Sequence, residues 1–66
     1  MITINGIDYH VCPGLTLDKF FMKYGVALDG TNIVIVDGRV LSRIDLGNQL
    51  AQDNMKITVL KLIGGG

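Results

Sequence analysis

Two dipeptides constrain the fold of this chain of 66 residues more than anything else in it: Asn5-Gly6 and Asp37-Gly38. A two-residue hairpin loop of type I′ needs positive φ at both central positions, and Asn, Asp and Gly are the residues that adopt it. Before the first dipeptide, Ile2 and Ile4 alternate with Thr3, the pattern of a strand with one buried face. After it, Ile7, Tyr9 and Val11 share one face of a strand and Asp8, His10 and Cys12 the other, until Pro13-Gly14 stops it. Around the second dipeptide, Asn32-Ile33-Val34-Ile35-Val36 predicts a well-buried strand that returns through Arg39-Val40-Leu41.

Between the hairpins lies one amphipathic helix. Thr16 is its expected N-cap, Asp18 favours the positive end of its dipole, and Leu15 is placed to staple against Phe20. Leu17, Phe20, Phe21 and Tyr24 recur at the spacing of a single buried stripe, and Lys23 with Gly25 closes the helix. Val26 to Thr31 reads as a loop. Between Ser42 and Gln52, Ile44, Leu46 and Leu50 predict a helical turn or two interrupted by Gly47, after which Asp53-Asn54 turns into a final strand from Ile57.

A helix placed between two hairpins must cross the sheet to bury its stripe. The expected fold is therefore α+β, one mixed sheet with one main helix packed on one face. With the last strand parallel to the first and beside it, the sheet closes over a single core, the arrangement called the β-grasp. The domain would span residues 1–63, with a glycine tail at 64–66.

Hydrophobic residues make up 48% of the chain and charged residues 18%, which excludes intrinsic disorder. Six basic and six acidic side chains are scattered along it, so neither the footprint of a nucleic-acid binder nor a polybasic membrane surface is present. No apolar run approaches the roughly 20 residues of a membrane span. A single cysteine and the absence of signal-peptide regions lead to the expectation of a cytoplasmic protein.

Chemistry is scarce among the side chains. Asp8, His10 and Cys12 are metal-ligand types, but on one straight strand Asp8 and Cys12 stand about 13 Å apart and do not converge. No cation or base is evident near Cys12 in the sequence to activate its thiol. No phosphate loop and no nucleophile with its base and orienting group is present, so no catalytic residue, metal site or bound cofactor is expected. The final strand says more. Ile57 and Val59 share the face that the helix covers, which turns Thr58, Leu60 and Leu62 outward as a docking surface. Directly after them comes Gly64-Gly65-Gly66, an arm without side chains that leaves its carboxylate as the reactive group.

Over its whole length the chain resembles the ubiquitin-like sulfur-carrier proteins, and within them the carriers of thiamine-thiazole biosynthesis. The likeness rests on Ile2-Thr3-Ile4-Asn5-Gly6, Pro13-Gly14-Leu15-Thr16-Leu17, Ile33-Val34-Ile35-Val36-Asp37-Gly38 with Arg39-Val40, and the closing Ile63-Gly64-Gly65-Gly66. The resemblance implies that an E1-like adenylating enzyme uses ATP to activate the carboxylate of Gly66, with Gly64 and Gly65 threading its active site. It further implies a sulfur donor, a persulfide relay fed by a cysteine desulfurase, that converts the adenylate to a thiocarboxylate from which thiazole synthase takes the sulfur. The same likeness admits the small subunit of molybdopterin synthase, whose members usually run longer, and a ubiquitin-like binding module whose tail is not activated. Two departures stand out. The family ends in Gly-Gly where this chain has three glycines, which leaves Gly65 as the alternative carrier of the carboxylate. Asp53-Asn54-Met55 stands where the family usually carries Asp-Gly-Asp, and Asn also tolerates positive φ.

Overall fold

The computed structural model describes residues 1–26, 28 and 30–61. In chain order these form β1 (Ile2–Ile4), β2 (Ile7–Tyr9), α1 (Leu17–Lys23), β3 (Asn32–Val36), β4 (Arg39–Leu41), α2 (Arg43–Asn48) and β5 (Lys56–Lys61). Both hairpins form where the turn dipeptides place them. Asn5 and Gly6 have φ of 50° and 81°, Asp37 and Gly38 of 49° and 85°, the positive values that a type I′ loop demands. Asn54 likewise takes φ 67°, so asparagine supplies the left-handed residue of the turn before β5.

The strands make one sheet of five in the order β2-β1-β5-β3-β4. β5 enters between the two hairpins, parallel to β1 with Ile4 beside Ile57, and antiparallel to β3 with Val34 beside Val59. This is the expected β-grasp topology, with the last strand at the centre. The β-strand residues Ile2, Ile4, Val34, Val36 and Ile57 bury one face of the sheet against Leu17, Phe20 and Phe21 of α1, and Leu46, Ala51 and Met55 complete the core. Phe20 is its hub, fully buried, with ring centroids 6.4 Å from Tyr9, 6.4 Å from Phe21 and 5.0 Å from Tyr24. Edge and tilted contacts of this kind add to the burial of each ring.

Several local expectations are corrected. β2 ends at Tyr9 instead of continuing to Cys12: Tyr9 is paired with Ile2, the first residue of β1, and the next carbonyl, on His10, accepts a hydrogen bond from the Tyr24 hydroxyl at 2.9 Å. Thr16 has the extended backbone of an N-cap, yet its hydroxyl donates to the Asp18 carboxylate and caps no helix N–H. The start of α1 is tied down by backbone instead. Leu17 N–H donates to the Gln49 carbonyl and Ala51 N–H to the Leu15 carbonyl, each at 2.8 Å.

Gly47 does not interrupt the second helix, which runs through it. A capping box starts α2, with Asp45 N–H donating to Ser42 Oγ at 3.2 Å and Ser42 N–H to Asp45 Oδ2 at 3.0 Å. Two of the helix's orphan donors are satisfied reciprocally. Of the apolar residues expected on this helix, Leu46 is buried and Ile44 is exposed. β3 is buried on one side only, since Val34 and Val36 face the core while Ile33 and Ile35 lie half-buried on the other face.

Candidate functional site

β5 is the element from which a functional tail would leave, and the fold holds it on both sides. Along its parallel partner, Thr3 N–H donates to the Met55 carbonyl at 2.9 Å and Asn5 N–H to the Ile57 carbonyl at 3.0 Å. At the next step β1 has already turned, and the Asn5 side chain takes over: its oxygen accepts from Val59 N–H at 2.8 Å and its amide nitrogen donates to the Val59 carbonyl at 3.2 Å. Asp37 does the same from the other hairpin. Its N–H donates to the Lys56 carbonyl at 2.9 Å and its carboxylate accepts from Lys56 N–H at 3.0 Å. Each turn residue was legible as a turn residue; that each also grips β5 was not, because the partner lies far along the chain.

With Ile57 buried beneath α1, the period of two turns Thr58 and Leu60 to the open face of the sheet. There the register sets Thr58 beside Ile35 and Leu60 beside Ile33, and Ile35 beside Val40 on the edge strand. Leu60 is 47% exposed and Val40 68%. The result is an apolar patch across three strands. Thr58 and Leu60 were expected in it; Ile33, Ile35 and Val40 were missed, because a strand that is β-branched throughout looks the same whether one face or both are buried. Leu62 of the expected docking surface and the tail residues Gly64, Gly65 and Gly66 lie outside the described residues.

The candidate metal and thiol residues end up elsewhere. Asp8 accepts a hydrogen bond from the Thr3 hydroxyl at 2.8 Å, and His10 and Cys12 lie beyond the end of β2. Among the described residues, no three His, Cys, Asp or Glu side chains are grouped to hold a metal ion. Cys12 does have a cation beside it that sequence spacing did not reveal. The helix brings Lys23 and Tyr24 alongside: the Cys12 side chain holds the Lys23 ammonium above its usual value, and burial first, then the contact with Cys12, raises the Tyr24 hydroxyl. Among the described residues no helix is long and apolar enough to cross a membrane.

No family model matches the chain, and no curated protein does. Among solved structures, the thiamine biosynthesis protein ThiS from Geobacter metallireducens matches 98% of this chain and 97% of its own, with a TM-score of 0.77 and 25% sequence identity. The chain is ThiS-like, with the β-grasp fold of the ubiquitin-like sulfur carriers.

Proposed function

We propose that this chain is a sulfur carrier of thiamine biosynthesis, acting as the substrate of its partner enzymes and catalysing nothing itself. The observation that carries the reading is the match to ThiS, which covers 98% of this chain and 97% of that one.

In this reading the carboxylate of Gly66 attacks the α-phosphorus of ATP in an E1-like enzyme, and pyrophosphate leaves. Carboxylate oxygen is a poor leaving group until it belongs to AMP. A persulfide sulfur supplied through a cysteine desulfurase then attacks the acyl carbon, AMP departs, and reduction of the resulting acyl disulfide by a thiol frees the thiocarboxylate. Thiazole synthase takes the sulfur from it. ATP is bound by the activating enzyme and not by this chain, and the setting of all these steps is the cytoplasm.

The chain's own contribution is presentation. Gly64 and Gly65 have no Cβ to obstruct a narrow channel, and ordering them costs about 1–2 kcal/mol of backbone entropy per residue. The patch of Thr58, Leu60, Ile33, Ile35 and Val40, with Leu62 beyond it, offsets that cost by burying apolar surface against the activating enzyme. β5, held at Lys56 by Asp37 and at Val59 by Asn5, is the anchored strand that precedes the tail in sequence.

Intact-mass analysis after incubation with the activating enzyme, ATP and the sulfur relay tests the proposal. Exchange of one oxygen for sulfur is the expected gain, and a chain left at its starting mass by enzymes that modify an authentic carrier overturns it. Offering the product to thiazole synthase and to the molybdopterin synthase large subunit then identifies the acceptor.

A further inference from the structure

A groove of about 600 Å³ opens between α1 and α2, on the side of the molecule away from the sheet's apolar patch, with Phe21, Met22 and Leu46 among its apolar lining. Two charged side chains of opposite sign stand in its walls, Asp18 from α1 and Arg43 from α2. They form no ion pair with each other: the Arg43 guanidinium donates to the Leu28 carbonyl at 2.8 Å, and the Asp18 carboxylate is held by the Thr16 hydroxyl and by Lys19 N–H at 2.8 Å. Both are thereby oriented before any ligand arrives.

Their spacing follows from the helix. Asp18 Oδ2 faces Gly47, where an added Cβ would lie 3.7 Å from it. Gly47 is four residues from Arg43 on α2, about 6 Å along the axis, so the Asp18 carboxylate and the backbone of Arg43 stand about one helical turn apart. The hydrogen bond from Thr16, the largest cause, keeps the Asp18 carboxyl below its usual range, and it is ionised at neutral pH. Met22, which lines the groove, is 79% exposed, and Ile44, next to Arg43 in the chain, is 77% exposed. An apolar floor with a fixed anion at one end and a fixed cation at the other complements a ligand that is apolar in the middle and oppositely charged at its two ends.

We propose that this groove is a second protein-docking surface, which takes a segment of a partner carrying a leucine-like side chain flanked by one basic and one acidic residue. A peptide segment suits it better than a free small molecule, because both charged groups and Met22 are largely exposed and a small ligand would remain mostly in water. Lying on the opposite layer from Thr58, Leu60 and Val40, the groove leaves the sheet face free for a different partner at the same time. This inference does not depend on the carrier reading.

The test is a titration of the ¹⁵N-labelled full chain with the peptide acetyl-Lys-Leu-Leu-Glu-amide, with acetyl-Gln-Leu-Leu-Gln-amide as the neutral control, followed by amide shifts. Shifts confined to residues around Met22, Arg43 and Leu46, with the charged peptide bound about fivefold more tightly at low salt, are expected. Asp18→Asn and Arg43→Gln should each abolish most of that preference while the dispersed spectrum of the sheet is retained. Asp18→Asn alone suffices should the Arg43 variant lose its fold. Equal affinity for both peptides, shifts centred on Ile35 and Val40, no shifts at all, or dilution-dependent shifts at the groove without peptide, which would mean a second copy fills it, overturn the proposal.

Discussion

The Asn5 side chain holds the backbone of Val59 as a neighbouring strand would, accepting from its N–H at 2.8 Å and donating to its carbonyl at 3.2 Å. One residue therefore turns the first hairpin, at φ 50°, and extends the β1–β5 ladder past the point where β1 has left it. Asp37 repeats the device at Lys56 from the second hairpin. The central strand is thus gripped at two points by the residues that make the two turns, which ties hairpin formation to closure of the sheet.

Asn5→Ala removes both side-chain bonds and puts a Cβ residue without local hydrogen bonding at positive φ. The expected loss is about 2–3 kcal/mol, a fall in melting temperature of roughly 15–20 °C for a domain of this size. Asn5→Gly keeps the backbone conformation and loses only the bonds, so its melt should fall between wild type and Asn5→Ala. Equal melting of wild type and Asn5→Ala would show that the side-chain ladder contributes nothing.

Phe20→Ala empties the centre of the aromatic cluster with Tyr9, Phe21 and Tyr24. A cost of about 3–5 kcal/mol is comparable with everything a core of this size supplies. Loss of amide dispersion and of the cooperative thermal transition is expected.

The capping box makes stability depend on acid. Asp45 is held below the usual carboxylate range, first by the Ser42 backbone N–H and then by the Ser42 side chain. Its folded form therefore binds its proton less readily than the unfolded chain. The stabilisation is complete above the ordinary carboxylate value, about 4, and is lost as pH falls through the lower folded value. Urea midpoints measured from pH 7 to pH 2 should decline less steeply at the acid end in Asp45→Asn than in the wild type. Ser42→Ala should cost about 1 kcal/mol at pH 7.

Val40→Asp and Leu60→Ala alter exposed positions of the open sheet face and should move stability by no more than about 0.5 kcal/mol. If the activating enzyme docks there, each raises its KM for this chain, by about tenfold for the pair, equivalent to roughly 1.4 kcal/mol. Unchanged KM in both would remove this face from the activation complex.

Deleting Gly65-Gly66 should leave the thermal melt where it is and abolish thiocarboxylate formation. A ubiquitin-like binding module would instead keep its partner after the deletion and lose it on Leu60→Ala, which a binding assay on the two variants separates.

The sequence by itself determined the features that depend on neighbouring residues. Positive-φ turns at Asn5-Gly6 and Asp37-Gly38, the buried stripe of Leu17, Phe20, Phe21 and Tyr24, and the alternation that sends Ile57 inward and Leu60 outward all follow from local backbone sterics and periodicity. The start of α2 was missed, although Ser42 followed three residues later by Asp45 carried the signal for it. Tertiary structure alone decided which chain segments meet. Asn5 reaches Val59 and Asp37 reaches Lys56, Lys23 comes to rest beside Cys12, and only one face of β3 is covered, so that Ile33 and Ile35 join the open patch. The physical reason is that a turn or a stripe is specified by residues a few positions apart, whereas these contacts depend on β5 returning between the two hairpins, and no periodicity along the chain encodes which side chains that return will touch.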